Sequence, residues 1–487
     1  MPRVNEYQGI QFLGFDDGLN NHVDASRLET NELSQALNIR LGARGEMQLR
    51  TGYVREDNGT LQGNGRFLYP WRGPGGTDHL IVVDGSGDIW HGPRGVNTFY
   101  DAGKNAEAGP GLDGYTIGFA GAKGFLYVSG KHSGAVKRFD GSIGGWVSIS
   151  TIPDAKMLHY RHNRLFAIND LARPSGIYYS ALGDAEDFPV DNYIEVIPED
   201  GYELNASAIF GDDLILFKDR AFWKLSGRTP SSFSLYRIDN HRGTVAGRGV
   251  AQMRGQLAFY DRDSGIWTFD GANLELLSQP INDYMLEGQD YDEAYKVSMY
   301  TDQDRLYCSV PWAAGGLRTF VYFANTGGWT EYGTGFEGAT EYLDVRMLGL
   351  SGAEGVYRAD KTATTVPPST DDIVATVRTG WQLLGGPGAK ARVRRLEMNV
   401  KANTGTTGIV RMYRDYDDTT PYITHTFDPG DIVWPLSVSS EERRIAIDGW
   451  GNRVHAVMFE FEFSEPPFQI NEFTVFYTGG IDVRGER

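Results

Sequence analysis

The chain has 487 residues, and its 64 acidic against 46 basic side chains give a net charge of −18. That balance excludes a surface that grips a nucleic-acid backbone, which needs clustered Lys and Arg, but not one along which nucleic acid slides without sticking. The single cysteine, Cys308, excludes an internal disulfide framework, and no run of 18 apolar residues offers a membrane-spanning helix.

The 62 glycines, roughly 13% of the chain against a typical ~7%, occur with 13% aromatic residues and favour many short strands joined by tight turns. Met1 to Glu6 has no apolar core, so no cleaved leader is expected. Residues 1–64 read as an N-terminal arm with lead-in strands, in which Thr30 is placed to cap a turn of helix through Ala36.

From residue 65 to 365 one pattern recurs: a short apolar strand, a polar or glycine turn, and a second strand opening on Ile, Val or Phe beside an aromatic or long side chain. Copies run from His79 to Gly92, Gly124 to Gly141, Asn163 to Ser180, Asp213 to Gly227, Gln256 to Gly271, Asp304 to Phe323 and, more weakly, Met347 to Asp360. Anchored on Leu80, Leu126, Leu165, Leu214, Leu257, Leu306 and Leu348, they repeat about every 45 residues, the length of a four-stranded propeller blade. The spacers have room for two more strands, as in Phe233 to Ile238. The expected fold is all-β: a propeller of about seven blades, with six or eight allowed. Stacking blades around an axis buries faces that a lone sheet leaves wet.

Thr362 to Asp372, with Pro367 and Pro368, reads as a linker. Residues 371–487 alternate polar and apolar in Arg392 to Ala402, Arg453 to Phe463 and Phe468 to Gly480, predicting an antiparallel β-sandwich.

The candidate chemistry lies mostly in turns. In "YDRDSGIWTFDG", Tyr260 to Gly271, the residues Asp263, Gly265 and Trp267 approach the Asp-box of sialidases but are one residue short, and Asp84 to Trp90 departs differently. Asp and Gly are what hairpins require, so Asp84, Asp261 and Asp263 are expected to turn the chain, as are the glycines Gly141, Gly176, Gly227, Gly265 and Gly271, with Trp90 and Trp267 on the following strands. The acidic stretches Gln289 to Tyr295 and Arg414 to Thr420 lack the ordered spacing of a calcium loop. His159 and His162, three apart, are expected on opposite faces of a strand, and no Cys or second His pair completes a zinc site. Cys308 sits in an apolar run and reads as a buried thiol. The one basic stripe, Lys390 to Lys401, is expected to place Lys390, Arg392 and Arg394 on one face with Leu396 and Met398, for a partner contact or an acidic neighbour. No catalytic constellation, cofactor or metal is expected.

The segment "GLNNHVDASRLETNELSQALNIRLGARGEMQLRTGY" resembles the opening of many tailed-bacteriophage virion proteins at Gly18, Leu19, Asn20, Asp24, Leu28, Glu32, Asn38, Arg40, Gly45, Arg50 and Gly52. Leu214 to Gly227, then Gly243, "GIWTFDG" and Pro280-Ile281, is similar to the same group. Within it the chain looks most like the tail nozzle, or tail tubular, β-propeller proteins of short-tailed phages. The resemblance implies a non-enzymatic virion protein, made in the bacterial cytoplasm. It implies a homo-oligomeric ring, typically a hexamer, that continues and gates the DNA channel through an acidic lumen and anchors an adaptor and fibres or spikes. Several nozzle proteins are longer, which leaves room for another head–tail connector or tail protein. The alternative class is a carbohydrate-binding or carbohydrate-processing propeller, which needs paired carboxylates or exposed aromatic platforms.

Overall fold

The structure is a computed structural model. It describes the chain except positions 1–6, 58, 60, 62, 86, 94–98, 102–116, 131–134, 198–200, 303, 361–362, 366, 368–371, 386–388, 403–406, 428–441, 452, 465–467 and 480–487. Met1 to Glu6, Pro368 and Gly480 therefore lie outside the described residues.

Five four-stranded antiparallel sheets follow in chain order: Gly65–Arg72 to Tyr100–Asp101, Ile117–Ala122 to Trp146–Ile149, Ala155–Arg161 to Tyr193–Glu195, Ala206–Phe210 to Ser234–Asp239, and Val250–Met253 to Leu274–Leu276. A sixth joins Phe336–Tyr342, Val345–Leu350 and Tyr357–Asp360 to an N-terminal strand, Gly52–Arg55. Phe336–Tyr342 packs back on Gly65–Arg72 and closes a ring, so the propeller is held shut by residues from opposite ends of its own sequence. Another meander, Ser298–Asp302 to Trp329–Tyr332, fits between the fifth and sixth sheets, its first strand packing on Val250–Met253 and Phe336–Tyr342. It belongs, however, to an eleven-stranded sheet. Counted as closed four-stranded sheets, the propeller has six blades, one of the numbers the sequence allowed. The repeat at Leu306 is in the ring but does not end as a separate blade.

The seven anchoring leucines all lie on second strands and are buried. These strands are covered on both faces, which is why Gln256–Asp261 and Arg305–Pro311 are near-continuously apolar rather than alternating. The outer strand Ser234–Asp239 has no fully buried residue. Cores form between blades. Phe217 and Phe222 meet Phe259 of the next blade at 5.2 and 5.4 Å between ring centroids, each buried Phe contributing about 1.5–3 kcal/mol. In four of the six blades the first and second strands are joined by two-residue turns with both residues at positive φ, at Lys123-Gly124, His162-Asn163, Arg254-Gly255 and Leu343-Asp344, the geometry that matches strand twist.

The C-terminal strands form the expected sandwich. Glu442–Asp448, Ala391–Ala402 and Phe468–Thr478 lie in one sheet. Ala375–Thr379, Ala456–Phe463, Gly408–Arg414 and Ile423–Phe427 lie in the other, which is the far part of the eleven-stranded sheet. Phe473 faces Phe461 at 5.0 Å and Phe459 at 6.1 Å, and Phe468 stacks on Phe463 at 4.4 Å.

The N-terminal strands are shared between the modules. Gln8–Phe12, Ile39–Leu41 and Met47–Leu49 complete the first sandwich sheet. Gly18–Leu19 and Glu32–Leu37 join Trp329–Tyr332 in parallel, and Glu32–Leu37 pairs antiparallel with Ala375–Thr379. The helical turn expected at Thr30 to Ala36 is therefore a strand. Leu33 and Ala36 are the buried pair, and a bulge between Leu33 and Gln35 absorbs one residue, so two inward side chains sit three apart and imitate a helix. The expected linker is also tied down at its start: Gly52 and Tyr53 donate backbone hydrogen bonds to Ala363 and Thr365 at 3.1 Å.

Candidate functional site

The motif residues between Gly18 and Gly52 gather along the seam where propeller and sandwich share a sheet. Gly18 has φ +61°, and a Cβ there would lie 2.9 Å from the Trp329 nitrogen, so both conformation and close approach require glycine. Leu19 and Leu28 are buried. Asn20 donates to the Glu32 carboxylate at 2.6 Å, and Glu32 also accepts from the Glu29 backbone at 2.9 Å. Asp24 caps its own turn, accepting from Ser26 N at 2.8 Å.

Asn38, at φ 57°, bonds to several parts of the seam. Its backbone N–H donates to Glu331 O at 2.7 Å, and its side-chain N–H donates to Val374 O at 2.9 Å. Its side-chain oxygen accepts from Gly333 N at 3.2 Å and from Arg50 Nε at 2.8 Å. Arg50 is 3% exposed. Its guanidinium lies 5.0 Å from the Tyr332 ring centroid and 5.5 Å from that of Tyr53, and burial lowers its pKa. Arg40 donates to Gln48 at 3.2 Å. Gly45, φ +77°, accepts from Phe15 N at 2.9 Å. A Cβ on Gly52 would meet the Ala363 carbonyl at 2.7 Å.

The second group of sequence candidates lies in blade turns, away from this seam. Asp261 is 4% exposed. Its Oδ1 accepts from Asp263 N at 3.0 Å, Ser264 N at 2.8 Å and Ser264 Oγ at 2.7 Å, and its Oδ2 accepts from Gly243 N at 3.1 Å. Trp267 Nε1 donates to Ser264 Oγ at 2.9 Å. Gly265 follows at φ +100°. Asp84 does the same in the first blade, accepting from Asp88 N and Trp90 Nε1 at 3.0 Å. Asp263 accepts from the Tyr291 hydroxyl at 2.5 Å and pairs with Arg220 at 3.3 Å. Gly141, Gly227 and Gly271, at φ +92°, +104° and +103°, each come just after a third strand, and Gly176 opens one. These groups are assigned to chain reversal.

The remaining candidates are dispersed. His159 is on a strand and hydrogen-bonds to Ser207 Oγ at 2.7 Å, whereas His162 occupies a turn at φ 49° rather than the opposite face of that strand. Asp290 and Asp417 accept from backbone N–H groups two and three residues ahead, making turns of both acidic stretches. Among the described residues no group of three or more His, Cys, Asp or Glu could hold a metal. Cys308 is buried, which pushes its thiol pKa up. The basic stripe needs correction: a bulge between Val393 and Arg395 shifts the register, so Ala391 and Val393 share the buried face with Leu396 and Met398 while Arg392 is exposed. Arg395 makes the acidic contact, a forked pair with Asp448 at 2.8 and 3.1 Å.

Several seam residues carried no local signal. Glu331 accepts from Arg318 at 2.6 Å and from Tyr284 at 3.0 Å, and Tyr284 is pushed up to about 12 by burial and then by that carboxylate. They line a cleft of about 470 Å³ together with Arg378 and Trp381. Glu460 accepts from Arg378 at 3.0 Å and Arg411 at 2.7 Å; burial alone would raise its pKa, and the two guanidinium groups outweigh burial and lower it. A second cleft, about 560 Å³, contains Arg40 and Arg346.

Fold and seam define the chain as a β-propeller fused through a shared sheet to a β-sandwich. No family model matches it, and no curated protein does. Among solved structures it is similar to YCF48 bound to D1 peptide, at 11% identity and TM-score 0.41, over 65% of this chain and 97% of that one. YCF48 from Cyanidioschyzon merolae aligns at 12% identity and TM-score 0.39, over 63% and 98%. PorZ, a surface component of the type-IX secretion system of Porphyromonas gingivalis, aligns at 12% and 0.38, over 76% of this chain and 46% of that one. These values describe a loose likeness of shape and say nothing of activity.

Proposed function

We propose that this chain is a non-enzymatic structural protein of a bacteriophage tail, most like the nozzle proteins of short-tailed phages. In this reading it forms a homo-oligomeric ring, a hexamer by the resemblance, that continues and gates the DNA channel and anchors adaptor and fibre or spike proteins. The observation that supports it is the placement of the virion-like motif. Gly18, Asn38, Arg50 and Gly52 fasten the N-terminal strands to the propeller, the sandwich or the chain between them. A two-module subunit with a continuous sheet across its junction transmits load without hinging, which suits a channel built by symmetric repetition of one chain. The net charge of −18 suits a conduit that DNA must leave freely.

The test is the mass of the purified chain by light scattering, with negative-stain images of the same fraction and of tail complexes. Rings with a central hole, alone or on a tail, support the reading. A monomer that never joins a virion, and that binds or cleaves a polysaccharide, overturns it in favour of the carbohydrate class.

A further inference from the structure

The basic stripe of the sandwich is left without counter-charge. Arg392 and Arg453 are direct cross-strand partners and both are exposed, so two guanidinium groups stand opposite each other on one sheet face, an arrangement that costs stability. Arg392 Nε donates to Gly451 O at 2.9 Å and Arg394 Nε to Thr478 Oγ1 at 3.2 Å, both neutral acceptors. Lys390, also exposed, directly precedes the strand. The carboxylates at this end are already in use. Asp448 and Glu397 accept from Arg395, Glu397 also accepts from Arg444, and Asp415 accepts from the His455 backbone at 2.7 Å. Among the described residues no ion pair reaches Lys390, Arg392, Arg394 or Arg453.

The opposite excess lies at the seam. From Asp16 to Glu32 the chain carries Asp16, Asp17, Asp24, Glu29 and Glu32 against one cation, Arg27. Asp16, Asp17, Asp24 and Glu29 are exposed. Their hydrogen bonds, and that of Glu32, come from neutral groups: Asn31 to Asp17 at 2.8 Å, Ser26 to Asp24 at 2.5 Å, and Asn20 to Glu32 at 2.6 Å. Two nearby cations are answered locally. Arg44, next to the Phe15–Gly45 backbone bond, is offset by Glu46, which accepts from Arg44 N at 2.9 Å, and His22 meets Asp283 at 3.2 Å. The carboxylates crowd one another. Partial burial raises the Asp17 pKa, the Asn31 hydrogen bond opposes that, and the charges of Glu32 and Asp16 raise it further.

The strand Gln8–Phe12 runs between the two patches. Arg392 lies opposite Thr478 and Phe12 opposite Phe473 on the same long strand, which separates the patches by about 17 Å of sheet, and no ion pair joins them within one copy. Exposed apolar side chains flank both, Tyr7 beside Arg394 and Arg395, and Leu13 three residues before Asp16. Like charges crowded on each surface are relieved when unlike surfaces meet. We propose that copies of this chain associate head to tail, with Lys390, Arg392, Arg394 and Arg453 of one copy seated on the Asp16–Glu32 loop of the next. The contact rests on the ring reading above and names the surfaces that join its neighbours. The two surfaces differ, so the association is heterologous and makes a ring when the rotation between neighbours closes.

Sedimentation velocity of the full chain over a range of concentrations and salt tests this with two charge-reversed variants, Arg392→Glu with Arg453→Glu, and Asp17→Lys with Glu29→Lys. The wild type should self-associate, less so as salt rises. Each variant alone should associate about 10–100-fold more weakly, because like charges now face each other. An equimolar mixture of the two should recover assembly, since the reversed patch of one meets the reversed loop of the other and the unaltered surfaces still match; a folding defect in either variant is not repaired by mixing. Rings that form equally well in both variants overturn the contact and leave the ring reading standing. A wild type that stays monomeric at every concentration also overturns the contact, and images of tail complexes then decide the ring reading separately. Loss of assembly in each variant without recovery in the mixture, or duplex DNA binding that Arg392→Glu with Arg453→Glu abolishes while self-association is unchanged, overturns it as well.

Discussion

Arg50 Nε donates to Asn38 Oδ1 at 2.8 Å, and this bond links the strand that closes the propeller to the sheet that enters the sandwich. Arg50 stands two residues before Gly52–Arg55, the outer strand of the last blade, and Asn38 reaches Val374 at the start of the sandwich. Asn38→Ala removes the acceptor for Arg50 and Gly333, removes the donor to Val374, and puts a Cβ-bearing residue without a local hydrogen bond at φ 57°. The expected loss is about 3–5 kcal/mol, and Asn38→Gly should recover ~1 kcal/mol of it by relieving the backbone. Urea denaturation measures both, and a loss no larger than that of a surface substitution would show that Asn38 does not hold the seam.

Gly18→Ala is expected to open the seam locally before the propeller unfolds. The substitution meets the Trp329 backbone at a positive φ, so Gly18–Leu19 cannot keep its parallel pairing. Limited proteolysis should cut the N-terminal strands early in this variant. Gly75→Ala, where an added Cβ has nothing within 4 Å, is the matched control and should digest like the wild type.

The two aspartates of the fifth-blade turn should separate cleanly. Asp261 accepts four hydrogen bonds in a buried position, so Asp261→Ala should cost about 2–4 kcal/mol. Asp263 is more exposed, and its contacts to Tyr291 and Arg220 should be worth ~0–1 kcal/mol. Neither variant should change any binding or hydrolytic activity. A glycan-cleaving activity in the wild type, lost in Asp263→Ala with the fold intact, would refute the turn assignment.

Acid should destabilise the first two blades. His91 is buried against Phe139 at 4.8 Å and His79 at 5.9 Å, and neither of its ring nitrogens has a partner among the described residues. Burial, and then His79, lower its pKa from 6.5 to about 4. The unfolded chain therefore binds the proton first as pH falls. The stabilisation is fully present above pH 6.5 and is lost progressively toward pH 4, on the order of 3 kcal/mol for this group. His91→Phe should flatten the dependence of melting temperature on pH across that window. An unchanged slope would mean that His91 is not protonated on unfolding.

The sequence carried the repeat because a blade is local. In five of the six blades the four strands are consecutive, the second strand is buried on both faces, and each two-residue turn named above has Gly, Asn or Asp at one of its two positive-φ positions. Leu80 through Leu348 and the Asp261 turn are readable for that reason. The strand at Glu32–Leu37 reads as a helical turn because a bulge gives helical spacing to Leu33 and Ala36, and only pairing with Trp329–Tyr332 and Ala375–Thr379 reveals the period.

What the chain alone determined is the all-β class, the blade-length repeat, the sandwich and the turn residues, each set by alternation and steric demands over a few neighbouring positions. The joining of the two modules came from the tertiary arrangement. Asn38 meets Val374, Arg50 meets Tyr332, and Arg40 shares a cleft with Tyr300 and Arg346. Pairings across some 250 to 340 positions leave no periodic trace, because hydrogen bonds and desolvation act on distance in space and not along the backbone.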